Sequence, residues 1–158
     1  MLSEHQQFSK VLVPMDGSEP SFRAAQVANN IARRFNSEII VLYVVVCPSK
    51  NEYINLTGLV TPKQIDMIIQ NAKEEANSWF RRIENMVMKE ENSNVKMSTK
   101  VLLTGLSVYG EIIEYAEKEG TDLIVIGTRG RSGIKKLLLG STASGVVTYA
   151  HCPVLVTK

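Results

Sequence analysis

The sequence predicts a doubly wound α/β domain, a single five-stranded parallel sheet with about four helices. Two observations carry this. Short apolar, β-branched runs alternate along the chain with stretches whose apolar residues recur at helical spacing. One of those runs, Ile39 to Val46, is nearly all apolar, which suits a strand covered on both faces.

Lys10-Val11-Leu12-Val13-Pro14 is the first short strand. Ser18 is placed to cap the helix that follows, with Glu19 and Pro20 suited to its first turn. Phe22, Ala25, Ala28, Ile31, Ala32 and Phe35 give that helix its apolar face. Ile39 to Val46 is the second strand. Cys47 to Val60 is mixed in character, with Pro48 and Gly58, and reads as a surface loop. Thr61-Pro62 then looks like a cap with proline at the first helical position. Ile65, Ile68, Ala72, Ala76, Trp79, Phe80, Ile83 and Val87 mark one face of a long helix, with Trp79 read as core. Lys89 to Asn94 is polar and ends it.

Val95 to Leu103 alternates apolar and polar residues, the period of a half-covered strand near a sheet edge. Ser107 caps a third helix through Ile112, Ile113 and Ala116, closed by Gly120. Leu123 to Ile126 is the fourth strand, and Cys152 to Thr157 the terminal one. Between them, Thr142 to Ala150 is helical, with Ser141 as its expected cap.

At 158 residues the chain suits one domain, 1–158, with an N-terminal arm over 1–9 and a variable loop over 47–61. A net charge of +2 is too small to argue for nucleic acid. No apolar stretch reaches the ~20 residues of a membrane helix, and the polar start lacks a signal-peptide core, so the expected compartment is the cytoplasm. Cys47 and Cys152 have no C-x-x-C spacing and are read as buried thiols.

With the strand order taken as 3-2-1-4-5, the chain switches direction between the first and fourth strands. Ligands of such sheets bind there, at the carboxyl ends of the strands. Pro14-Met15-Asp16 leaves one strand at that point and Gly127 leaves the other. Gly127-Thr-Arg-Gly130 is followed, nine residues later, by Gly140-Ser141. Glycine allows close backbone approach, and a loop opening a helix offers free N–H groups to a phosphate. Arg129, Arg131, Lys135 and Lys136 add four cations between Gly127 and Gly145, with no acid. Lys135 and Lys136 are read as solvated. The bland alternative is a shaped loop with a solvated cationic face. Asp16 before Gly-Ser likewise fits a turn or cap as well as a ligand role.

The G-x-x-G, nine residues, G-S spacing resembles the nucleotide-binding signature of the universal stress protein family. So do Val11 to Ser18, Gly120 to Gly127, Leu137 to Ser141 and Cys152 to Val156, so that the likeness spans nearly the whole chain. The resemblance implies an adenine nucleotide, most often ATP with Mg or Mn. It implies that Pro14, Met15 and Asp16 approach the adenosine, that Val44 meets the adenine through its backbone, and that Gly127 sits by the ribose. It implies that Arg129 and Gly130, with Gly140, Ser141, Thr142 and Ala143, hold the phosphates, and that Asp16 is a candidate for the divalent ion. It also implies a homodimer through the terminal strand, Val154 to Thr157. Met15 departs from the small or polar residue usual at its position.

There is no G-x-x-x-x-G-K-[ST] loop, no His- or Cys-rich metal set, no G-x-S-x-G elbow and no evident general base. The leading expectation is a regulatory protein whose ATP occupancy an unknown protein partner reads. A slow ATPase or adenylyl-chemistry enzyme in the same pocket, and a nucleotide-free dimeric adaptor, are the alternatives. AMP or cyclic AMP in place of ATP is a variant of the first.

Overall fold

The structure is a computed structural model that describes residues 8–47, 61–89, 94–105, 107–128 and 139–158. Its elements run β1 (Lys10–Pro14), α1 (Glu19–Phe35), β2 (Glu38–Val46), α2 (Pro62–Met88), β3 (Lys96–Thr104), α3 (Val108–Glu119), β4 (Leu123–Gly127), α4 (Ser141–Tyr149) and β5 (Val154–Thr157). The strands form one sheet in the order β3-β2-β1-β4-β5, every neighbouring pair parallel. Fold class, order and the four helices are as the sequence predicts.

Strand alternation splits the core into two layers. Val11, Val13, Ile39, Val41, Leu123 and Val125 face α1 and α2. Leu12, Ile40, Leu42, Ile124 and Ile126 face α3 and α4. Since β1, β2 and β4 must satisfy helices on both sides, nearly every residue in them is apolar. The edge strand β3 is exposed or half-exposed over most of its length, in keeping with its alternating sequence.

Local chemistry fixes the helix ends. The Ser21 N–H donates to Ser18 Oγ at the start of α1 (3.4 Å), and Asn36 closes that helix with a left-handed φ of 55°. Gln64 completes a reciprocal box with Thr61 before α2: the Thr61 N–H donates to Gln64 Oε1 (2.8 Å) and the Gln64 N–H to Thr61 Oγ1 (3.3 Å). Ser107 caps α3 and Gly120 ends it at φ 64°.

At the base of the sheet, Asp122 Oδ2 accepts from the N–H groups of Ser9 (2.9 Å) and Lys10 (2.8 Å), tying the start of β1 to β4. Cys47 is buried. Cys152 is only half-buried, with its thiol pushed above its ordinary range by burial and by the nearby Asp122. Among the described residues no helix is long and apolar enough to cross a membrane.

Several boundaries differ from the sequence reading by a residue or two, with β2 beginning at Glu38 and β4 ending at Gly127. The third strand runs one residue later, and the last begins at Val154 rather than Cys152. The last helix begins at Ser141, so Gly140 and not Ser141 is the N-cap, and no side chain caps it.

Ile124 is fully buried between β1 and β5. Ile124→Ala is expected to cost about 2–5 kcal/mol, through lost burial and the cavity left behind, measured by urea unfolding.

Candidate functional site

The crevice arises where two central strands part. β1 pairs with β2 over its whole length, from Lys10–Glu38 to Pro14–Leu42. With β4 it pairs only at Val11–Leu123 and Leu12–Ile124. Beyond that the carboxyl ends separate, and a cavity of about 340 Å³ opens between them. That lies within the range of small-molecule sites, roughly 300–1,000 Å³.

Two backbone bonds set its far wall. The Thr128 N–H donates to the Thr157 carbonyl (2.8 Å), holding the end of β4 against β5. The Gly140 N–H donates to the Thr128 carbonyl (2.7 Å), which returns the chain to the strand end just before α4 begins.

The structure brings together most of the residues that the sequence singles out. Pro14, Met15 and Asp16 line the crevice from the end of β1, Val44 from β2 and Gly127 from β4. Gly140, Ser141, Thr142 and Ala143 line it from the start of α4. Arg129, Gly130, Arg131, Lys135 and Lys136 lie outside the described residues. Sequence reading missed the floor: Val108 and Ile112 of α3 line the crevice, as do Leu42, Ile126 and Thr128. The apolar spacing of α3 was visible, but not that its first turn would turn toward the strand ends.

The chemistry is divided. Leu42, Val44, Val108, Ile112 and Ile126 make an apolar slot that can bury the hydrophobic part of a ligand. Beside it stands the start of α4, whose first-turn N–H groups at Ser141, Thr142 and Ala143 have no partner within the helix. With no side-chain cap competing for them, they and the helix dipole favour an anion.

Asp16 is the one carboxylate among the described lining residues. Its Oδ1 accepts from the Ser18 N–H (3.0 Å) and from Ser18 Oγ (2.5 Å), the local turn that the sequence allowed as an alternative. Met15 is 3% exposed. Its Sδ lies 2.9 Å from the Ser21 hydroxyl, which also reaches the Ser18 carbonyl at 2.7 Å. The departure at Met15 thus serves packing beneath the loop.

Two glycines have reasons the sequence did not show. A Cβ on Gly127 would stand 2.8–2.9 Å from backbone and Cβ atoms of Pro20, so its missing side chain lets the first turn of α1 approach β4. Gly17 has a φ of 80°, and a Cβ there would lie 2.3–2.8 Å from the Trp79 indole. Trp79 is half-buried and meets Tyr43 edge-on at 5.0 Å. Next to it, Arg82 bonds Glu19 (3.0 Å) and holds that carboxyl below its ordinary range.

The universal stress protein family model matches residues 7–158. The chain belongs to the universal stress protein family. Among its relatives, the universal stress protein MJ0531 of Methanocaldococcus jannaschii is 40% identical over 152 residues, covering 96% of this chain and 82% of that one. The solved structure of the universal stress protein UspA from Lactobacillus plantarum superposes with a TM-score of 0.76 at 25% identity, covering 96% of this chain and 99% of that one. A universal stress protein from Archaeoglobus fulgidus, solved in complex with dAMP, shares the fold with a TM-score of 0.63 at 22% identity, covering 96% of this chain and 99% of that one.

Gly17→Ala in this universal stress protein is expected to destabilise by more than the ~1–2 kcal/mol of a left-handed alanine, because the Trp79 ring must also move. In a Trp79→Ala background the same substitution should cost only the backbone part. Denaturant melts of the four proteins check both statements.

Proposed function

We propose that the protein is an adenine-nucleotide-binding regulatory protein, with ATP as its ligand and its occupancy read by a protein partner. The observation that carries this reading is the juxtaposition in one crevice of an apolar slot and a helix start without a side-chain cap. A flat base fits the first and a phosphate the second. The dAMP held by the Archaeoglobus relative supports the adenine choice.

In this reading Pro14, Met15 and Asp16 flank the nucleoside, Val44 offers its backbone to the adenine, and Gly127 borders the ribose. Gly140, Ser141, Thr142 and Ala143 receive the phosphates, joined by Arg129 and Gly130 on the strength of the glycine signature. Magnesium bound with a nucleotide commonly takes phosphate oxygens, waters and one or two carboxylates. Asp16 fits that role, with the ion arriving on the nucleotide. Among the described lining residues the carboxylate is Asp16, and it is engaged with Ser18.

The reading is tested by mass spectrometry of the nucleotide that co-purifies with the protein and by calorimetric titration of stripped protein with ATP and magnesium. Gly140 is the decisive position. Its φ of −68° and ψ of 158° are open to any residue, so valine is tolerated by the backbone at a capping cost of about 1 kcal/mol. Gly140→Val should therefore fold and lose more than about tenfold in ATP affinity, ~1.4 kcal/mol. A folded variant with native affinity counts against the phosphate assignment.

We also propose a homodimer through β5, the sheet edge beside β4. Pro153 and Thr157 turn their carbonyls toward β4, accepting from Ile124 (3.0 Å) and Thr128 (2.8 Å). By strand alternation the N–H groups of Val154 and Val156 then face outward, an edge open to pairing. Both valine side chains pack partly against the core of this chain, so charging them would damage the fold as well. Val156→Pro removes one outward donor and leaves the β4 ladder intact. It is expected to shift the protein to monomer in analytical ultracentrifugation, and a surviving dimer would place the interface elsewhere.

A further inference from the structure

The segment from Asp16 to Phe22 has the crevice on one side and α2 on the other. Asp16 and Ser21 line the cavity. From outside, Trp79 lies on Gly17 so closely that no Cβ fits between them. The same indole meets Tyr43, itself a residue of the cavity wall, in a T-shaped contact at 5.0 Å and 74°. One turn further along α2, the Arg82 guanidinium sits 3.7 Å above the Phe22 ring and bonds Glu19 at 3.0 Å. The pair with Glu19 is exposed, with side chains 56% and 66% accessible, so it adds little energy. Trp79 is thus a close contact of α2 with the loop that leaves β1.

The amino-terminal half of α2 buries little of its own surface. Before Trp79, the fully buried residues of this 27-residue helix are Ala72 and Ala76, and alanine buries little surface; Ile65, Ile68 and Ile69 are half-buried. After it come Phe80, Ile83 and Val87. The amino-terminal half is thus a long, mostly exposed stretch that leads into a tryptophan seated on the loop at the crevice. Segments with few buried apolar contacts open independently of the global fold, and a ligand that orders their support shifts that equilibrium.

We propose that Trp79 is the positioning residue through which nucleotide occupancy orders the amino-terminal half of α2, residues 62–78, making that half the surface whose state reports binding. This rests on the nucleotide reading. Ligand that fixes Asp16 and Gly17 fixes the seat of the indole, and linkage requires that an ordered α2 in turn favours the liganded loop. A tryptophan that merely filled space would affect stability without making exchange in α2 depend on ligand.

The test combines three readouts on the full chain titrated with ATP and magnesium. Calorimetry reads binding. Hydrogen exchange by mass spectrometry reads residues 62–78. Emission reads Trp79, the single tryptophan of the chain. The expected result is an emission change that follows the binding isotherm and an ATP-dependent slowing of exchange in 62–78 of about fivefold or more. That slowing should vanish in Trp79→Ala and return in Trp79→Phe, which keeps a ring against Tyr43. The arms on the unsubstituted protein stand even if Trp79→Ala does not fold. ATP binding with unchanged emission and exchange in 62–78 overturns the coupling and leaves the nucleotide reading intact. The same slowing in a folded Trp79→Ala protein overturns the role of Trp79. An absence of binding heat, with no nucleotide retained in native mass spectrometry, fells the nucleotide reading and this inference with it.

Discussion

The short pairing between β1 and β4 is the constraint on which the rest of the molecule depends. Two residues from each strand are in register, Val11 with Leu123 and Leu12 with Ile124, and beyond them the strands part. Below that point the sheet is continuous and Asp122 ties the two strand starts together. Above it there is no neighbouring strand to close the gap, so loops and helix ends line it instead. Helices packed on both faces follow from the same reversal of direction, as does the need for β1 and β4 to be apolar on both sides.

What lines the gap is set by backbone that the strands leave free. The bond from the Gly140 N–H to the Thr128 carbonyl seats the start of α4 at the end of β4. Because Gly140 provides no side-chain cap, the first turn of that helix keeps its donors for something else. On the other side, the Asp16 turn with Ser18 bends the chain into α1, and Gly127 lets Pro20 come close enough for that bend to fit. The anion-favouring wall and the Asp16 wall are therefore each held by one strand end.

The described wall of the crevice combines apolar side chains with polar backbone. Among the described residues, an apolar floor, a row of N–H groups and a carboxylate engaged in a turn can bind and orient a small molecule. In this fold the thin Asp16–Phe22 segment touches both the crevice and α2, and Trp79 is where that contact is closest.

Much of this was legible in the sequence, because much of it is short-range. The buried strands show as apolar runs, the edge strand as alternation in Val95 to Leu103, and the helix starts as Ser18, Thr61 and Ser107. Those signals come from periodicity and from hydrogen bonds a few residues apart, so the elements and most crevice residues could be read from them. Misreading Ser141 as the cap came from the same rule, since only the path from Thr128 to Gly140 decides which residue begins the helix. Tertiary structure alone decided that Val108 and Ile112 floor the crevice, that Gly127 is glycine for Pro20, and that Gly17 is glycine for Trp79. Each of these is a steric fit between segments distant in the chain. Such a fit depends on how helices seat on the twisted sheet, and no local pattern encodes that.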